Sequence, residues 1–117
     1  GFIIVASECR DGIAHRNFER MVSEARGPEE LLERIRTLGF LQIDQWEAQV
    51  MARVQSKARV IMVTRGVARE SLAKMHLGYA GSVEEALEQA NSALGRRPEV
   101  TVIPDGPHTI VEPYLGL

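Results

Sequence analysis

Apolar residues in this chain follow two spacings. The runs "FIIVA" (2–6), "RVIMVT" (59–64) and "EVTVIP" (99–104) are short, continuous and rich in valine and isoleucine. Continuous apolar runs, without strict alternation, suit strands covered on both faces, as in a parallel sheet. "GYAGS" (78–82) is a weaker strand candidate. "HTIVEPYL" (108–115) offers an edge or tail strand, because Pro113 excludes a central position. Elsewhere the apolar residues recur at helical spacing. Phe18, Met21, Val22 and Ala25 share a face over 15–25, and Leu31, Leu32, Ile35 and Leu38 share one over 28–37. Further helices are predicted over 44–57, 68–76 and 82–95. Pro28 and two glutamates suit a helix start. Ser82 with Glu85 forms a capping-box pattern, and Gly95 marks a helix end. The order β-αα-α-β-α-(β)-α-β predicts an α/β fold: a three-layer sandwich around a mostly parallel, Rossmann-like sheet.

The helix at 44–57 holds the only tryptophan. Asp44 is a good N-cap, Glu47 can complete a capping box, and Ile43 can act as a hydrophobic staple. Trp46 then takes the second helical position. Val50 and Val54 follow it at i+4 and i+8, with Met51 and Ala58 beside them. On the plain reading, Trp46 is the top of a core stripe. On the other, an apolar ring with one N–H donor stands at a domain rim, where it meets a small ligand or a facing domain.

Totals narrow the function classes. A chain of 117 residues fits one domain, able to bury roughly two-thirds of its unfolded surface. A net charge of −2 argues against a nucleic-acid or anionic-membrane partner. Cys9 is the sole cysteine, so no internal disulfide forms. No apolar run approaches the roughly 20 residues of a membrane span, and no leader pattern is present. The cytoplasm is the default compartment. The chain opens on "GFIIVA" without an initiator methionine, and reads as part of a longer protein that continues on the N-terminal side.

Open parallel sheets bind ligands beyond the C-terminal ends of their strands. The loops 7–15, 64–67 and 104–108 would bring Ser7, Glu8, Asp11, Arg65, Asp105 and His108 to one rim. Turn chemistry alone accounts for the "DG" and "RG" pairs, with glycine supplying positive φ. Glu8, Cys9, Asp11 and His15 are possible metal ligands. Their spacing matches no closed zinc motif, and alternation would point Glu8 and Cys9 apart. Cys9 reads better as a small buried hydrophobe. No dinucleotide or P-loop glycine pattern occurs, and "VASEC" lacks a nucleophile elbow. His15, His76 and His108 fall on different elements and read as surface or capping residues.

"GFIIVASECRDGIAH", "IDQWEAQVMARVQSKARVIMVT" and "VTVIPDG", in that order, resemble the C-terminal domain of the nickel-dependent lactate racemase family. The "ASEC-x-DG" loop and the "DQW-x-AQ" helix start are the more specific parts. The resemblance implies a two-domain protein with its active site in the interdomain cleft. It implies a nickel pincer nucleotide tethered to a lysine, and racemisation of a 2-hydroxy acid by reversible hydride removal. The tethering lysine, the nickel ligand and the catalytic histidines would lie on the N-terminal domain, the partner of this chain. No catalytic or metal-ligating residue is therefore expected here. Trp46 matches a substrate-facing tryptophan of the family, with the cleft wall expected around 7–15 and 44–50 and with Glu8, Asp11 and Gln45 on the same rim. Ile13-Ala14-His15 departs from the family pattern, where a glycine is expected near Ala14. The alternatives are a small-ligand or protein-interaction α/β module without catalysis, and a homologue that keeps the fold but has lost the cofactor.

Overall fold

A computed structural model describes residues 1–37 and 39–113. Leu38 of the second apolar stripe, and Tyr114 and Leu115 of the last strand candidate, lie outside the described residues. The elements are β1 (Phe2–Ala6), α1 (Arg16–Glu24), α2 (Pro28–Arg36), α3 (Gln45–Gln55), β2 (Arg59–Val63), α4 (Arg69–Lys74), β3 (Gly78–Ala80) and α5 (Val83–Leu94). A short 3-10 turn, Gly106–His108, follows.

Among the described residues, the sheet has three strands in the order β1-β2-β3, all parallel. Phe2 lies beside Arg59 and Ala6 beside Val63, while Ile61 lies beside Gly78 and Val63 beside Ala80. Strand residues alternate between two cores, which makes three layers. Val60 and Met62 face Met21, Val22, Leu31, Ala48, Ala52, Leu72 and Met75 of the helices on one side. Ile61 and Val63 face the other way, with Phe2, Ile4, Ala80 and Ala86 of α5. The continuous apolar runs of β1 and β2 therefore mean what the pattern predicts.

The third strand is not where the strongest remaining β run lies. Residues 99–104 form no strand and are exposed throughout. β propensity expresses fit to a pleated, half-buried surface, and Val100, Val102 and Ile103 find no such surface. Pro98 and Pro104 bracket the run and remove two N–H donors. The weaker candidate, 78–80, takes the place instead. A Cβ on Gly78 would stand 3.1 Å from Ile61 Cγ1, so glycine lets β3 lie close against β2. Residues 108–113 form no strand either.

Helix ends follow the sequence in α5 and depart from it in α3. Ser82 Oγ accepts from the Glu85 N–H at 3.1 Å, Glu85 accepts from the Gly81 N–H at 2.8 Å, and Gly95 closes the helix at φ +64. Asp44 stands at the N-cap of α3 in the left-handed region, φ +64, and its side chain makes no capping hydrogen bond. The Asp44 carbonyl instead accepts from the N–H groups of Glu47 and Ala48. Ile43 is 74% exposed and staples nothing. The centre of the buried face of α3 is Ala48 and Ala52, both 0% exposed, with Met51 and Val54 packed partly against the core, while Trp46 and Val50 of the expected stripe are exposed. Small alanines allow α3 to approach α1 and α2 closely, and Trp46 and Val50 are turned outward. Among the described residues, no helix is long and apolar enough to cross a membrane.

Candidate functional site

The C-terminal ends of β1 and β2 lead into the loops 7–15 and 64–67, and Thr64 ties the two together. Thr64 is 6% exposed; its Oγ1 donates to the Glu8 carbonyl at 3.1 Å and accepts from the Gly66 N–H at 3.2 Å. The Ser7 N–H continues the β1–β2 ladder to the Val63 carbonyl at 3.1 Å. The first loop then makes a tight turn, closed by the Gly12 N–H on the Cys9 carbonyl at 2.9 Å, with Cys9 at φ +48 and Gly12 at φ +67. Glycine at 12 therefore serves positive φ, as its "DG" pair suggests. Gly66 serves close approach: a Cβ there would meet the Cys9 carbonyl oxygen at 1.7 Å. Thr64 is the residue that reading turns alone missed. Its signal was a small β-branched hydroxyl at the last position of an apolar strand run.

These loops border a groove of about 440 Å³, lined by Ser7, Glu8, Thr64, Arg65, Tyr79 and Gly81. Glu8 is paired with Arg10 at 2.8 Å, in solvent. Asp11 is exposed on the turn. Cys9 is only half-buried, with its thiol 3.5 Å from Ser7 Oγ. Asp105 and His108 do not reach this rim. They pair with each other at 2.9 Å on the exposed 3-10 turn, since the strand expected to deliver them does not form. His76, at φ +60, holds its Nε2 2.7 Å from the Ala25 carbonyl and joins the end of α4 to the end of α1.

The 7–15 loop meets the start of α3 through His15. Its Nδ1 lies 2.9 Å from a Glu47 carboxylate oxygen and 3.7 Å from one of Asp44. The two carboxylates expected to form a capping box converge on this imidazole instead. The three ligand-type atoms lie within 4.8 Å of one another, and among the described residues this is the group of that kind. Glu8, Cys9 and Asp11, weighed as metal ligands with His15, are not part of it. Gln45 is half-buried; its side-chain oxygen accepts from the Gln42 N–H at 3.2 Å and braces the turn before the helix. Behind His15 and Glu47 lies a pocket of about 300 Å³ walled by Ile13, Phe18, Met51 and Met62.

Trp46 stands between the two carboxylate residues and is 67% exposed. Val50, one turn on, is 55% exposed, and Leu41 and Ile43 before the helix are more exposed still. Ile3 of the edge strand β1 and Val50 line one shallow groove. Trp46 is thus not the top of a core stripe; it heads an apolar helix face turned to solvent. Lys57 and Lys74 are the chain's lysines. Lys57 sits with Gly1 and Arg59 at the opposite end of the sheet, Lys74 ends α4, and neither lines the strand-end groove or the pocket behind His15.

Comparison with known proteins covers the whole of this arrangement. The family profile described as lactate racemase C-terminal domain matches residues 1–111. A lactate racemase of Thermoanaerobacterium thermosaccharolyticum is 37% identical over 113 residues, covering 95% of this chain and 26% of that protein. A lactate racemase of Lactiplantibacillus plantarum is 34% identical, covering 96% of this chain and 27% of that protein. The structure of the lactate racemase apoprotein from T. thermosaccharolyticum superposes with a TM-score of 0.89 at 36% identity, over 97% of this chain and 28% of that one. The chain thus spans about a quarter of the length of these relatives, and it belongs to the lactate racemase C-terminal domain family.

Proposed function

We propose that this chain is the C-terminal part of a two-domain hydroxy-acid racemase, acting in the cytoplasm, and that it supplies one wall of the substrate cleft without being active alone. The observation that carries this reading is the exposure of Trp46, 67%, at the head of an outward apolar face with Val50. Contiguous apolar surface of this kind marks a place where something docks. The occupant proposed is the remainder of the full-length protein, with a small 2-hydroxy acid held between. Trp46 covers the substrate and keeps water from the reacting carbon. Glu8, Asp11 and Gln45 belong to the rim of the same wall, Gln45 as the brace of the turn that presents Trp46.

The cofactor implied by the family resemblance, a lysine-tethered nickel pincer nucleotide, supplies hydride chemistry at the carbon bearing the hydroxyl. The residues of this chain do not fit its attachment: neither lysine lines the strand-end groove or the pocket behind His15, and Lys57, which borders the shallow groove of Ile3 and Val50, lies beyond the far end of α3 from Trp46. Its binding is therefore assigned to the remainder of the full-length protein.

The test is racemisation of D- and L-2-hydroxy acids by the cofactor-loaded full-length protein, with nickel quantified. Interconversion of lactate or a related acid is expected, with a marked loss in Trp46→Ala at unchanged melting temperature. Full turnover in Trp46→Ala, or no interconversion of any acid in the panel, overturns the reading.

A further inference from the structure

His15 occupies the junction of two helix starts. Its backbone precedes α1, where its carbonyl accepts from the Glu19 N–H at 3.0 Å. Its side chain reaches the start of α3, where Glu47 follows Trp46 directly and Asp44 precedes it by two residues. Within this chain the Trp46 ring is mostly exposed, so packing by its own domain does little to hold its direction. What fixes that direction is the backbone at the first turn of α3. That turn lacks a side-chain cap, and Asp44 adopts a left-handed conformation there. An α-helix leaves its first N–H groups unpartnered, and an uncapped first turn frays readily. The 2.9 Å bond from His15 Nδ1 to Glu47 restrains this turn from outside the helix. Because the partner is a carboxylate, which only accepts, Nδ1 carries the hydrogen.

We propose that His15 is a positioning residue for Trp46: through Glu47, and with Asp44 alongside, it clasps the α3 start to the 7–15 loop and sets the direction of the ring. The consequence for catalysis rests on the reading that Trp46 faces the substrate; the clasp itself does not. It also gives the 7–15 loop a role in the cleft without a metal ion or a catalytic group on it.

The experiment reads Trp46 directly in the full-length protein. Its emission is obtained as the difference between each protein and the same protein carrying Trp46→Phe. His15→Ala is expected to lower the fluorescence anisotropy of Trp46 and raise its quenching by acrylamide, while the melting temperature stays nearly constant. His15→Asn, which can present an N–H near the position of Nδ1, restores both signals. Glu47→Ala reproduces the effect of His15→Ala, and the double variant goes no further than either, as coupled residues require. In turnover, His15→Ala loses kcat with little change in KM, by up to about 100-fold, the scale of an ångström-sized misplacement. Unchanged anisotropy and quenching in His15→Ala, or additive effects in the double variant, overturn the clasp. Altered Trp46 signals with unaltered racemisation uphold the clasp and overturn the substrate-facing reading of Trp46.

Discussion

Gly66 presses against Cys9 so closely that a Cβ on Gly66 would stand 1.7 Å from the Cys9 carbonyl oxygen. The contact is between the backbones of two loops, so no flexible side chain can give way. Gly66→Ala must push the 7–15 loop off β2. A loss of about 1–3 kcal/mol is expected, the usual cost of overpacking. Urea denaturation measures it, and a loss below a few tenths of that scale shows that the loops are not held at this distance.

Thr64 secures the same junction by hydrogen bonding. Thr64→Val keeps the shape but leaves the Glu8 carbonyl and the Gly66 N–H without their side-chain partner. At 6% exposure, water reaches the site poorly, and a cost of about 1–3 kcal/mol is expected for the unsatisfied groups. Thr64→Ser retains the hydroxyl and should recover most of it. Comparing the denaturation midpoints of the two variants separates the hydroxyl from the methyl group.

Leu31 and Trp46 give opposite outcomes on truncation. Leu31 is 1% exposed within the larger core, and Leu31→Ala is expected to cost about 2–5 kcal/mol. Trp46→Ala removes a larger side chain from a mostly exposed position, so its effect on stability should stay within about 0.5 kcal/mol. Thermal melts of both variants check the contrast. A Trp46→Ala loss as large as that of Leu31→Ala would return Trp46 to the core.

Glu30 makes stability depend on acid. Hydrogen bonds from the Arg26 side chain first, then from the Arg26 backbone N–H and the Arg34 side chain, hold its pKa down at about 2. A carboxyl with a depressed folded pKa contributes fully above its unfolded value, about 4.3, and loses that contribution as pH falls through about 2. Solvent access keeps the contribution small, as for other surface pairs. Wild type should melt slightly above Glu30→Gln at pH 6, with the gap closing between pH 4 and pH 2. A gap that stays constant across that range would show that the arginine pairing does not contribute. The pH points bracket the window set by the two pKa values.

Much of the fold was legible because its signals are local. β1, β2 and the five predicted helices lie within a few residues of their apolar patterns, and Ser82 caps α5 as its residues suggest, with Glu85 reaching back one residue further, to the Gly81 N–H. The errors arise where a residue had two uses. Asp44 and Glu47 carry a capping pattern, yet both carboxylates turn to His15, about thirty positions earlier in the chain, where an imidazole is the better partner. Trp46 and Val50 are apolar at helical spacing, yet Ala48 and Ala52 win the core because small residues let α3 pack closer.

Local patterning, by itself, determined which segments become helices and marked 2–6 and 59–64 as buried strands, though it marked 99–104 equally. It also determined the single tryptophan at a helix start and the family resemblance that the comparisons bear out. Tertiary structure alone decided that 78–80 and not 99–104 completes the sheet, and that the Trp46 face of α3 points outward. It also decided that His15 belongs with Asp44 and Glu47 and not with its loop neighbours Glu8, Cys9 and Asp11. In all three cases long-range contacts decide which groups meet, and for the first two the competition is for burial. Periodicity states that a face is apolar, but burial depends on which surfaces fit together once the long-range contacts close, and a chain offers more apolar faces than one core can cover.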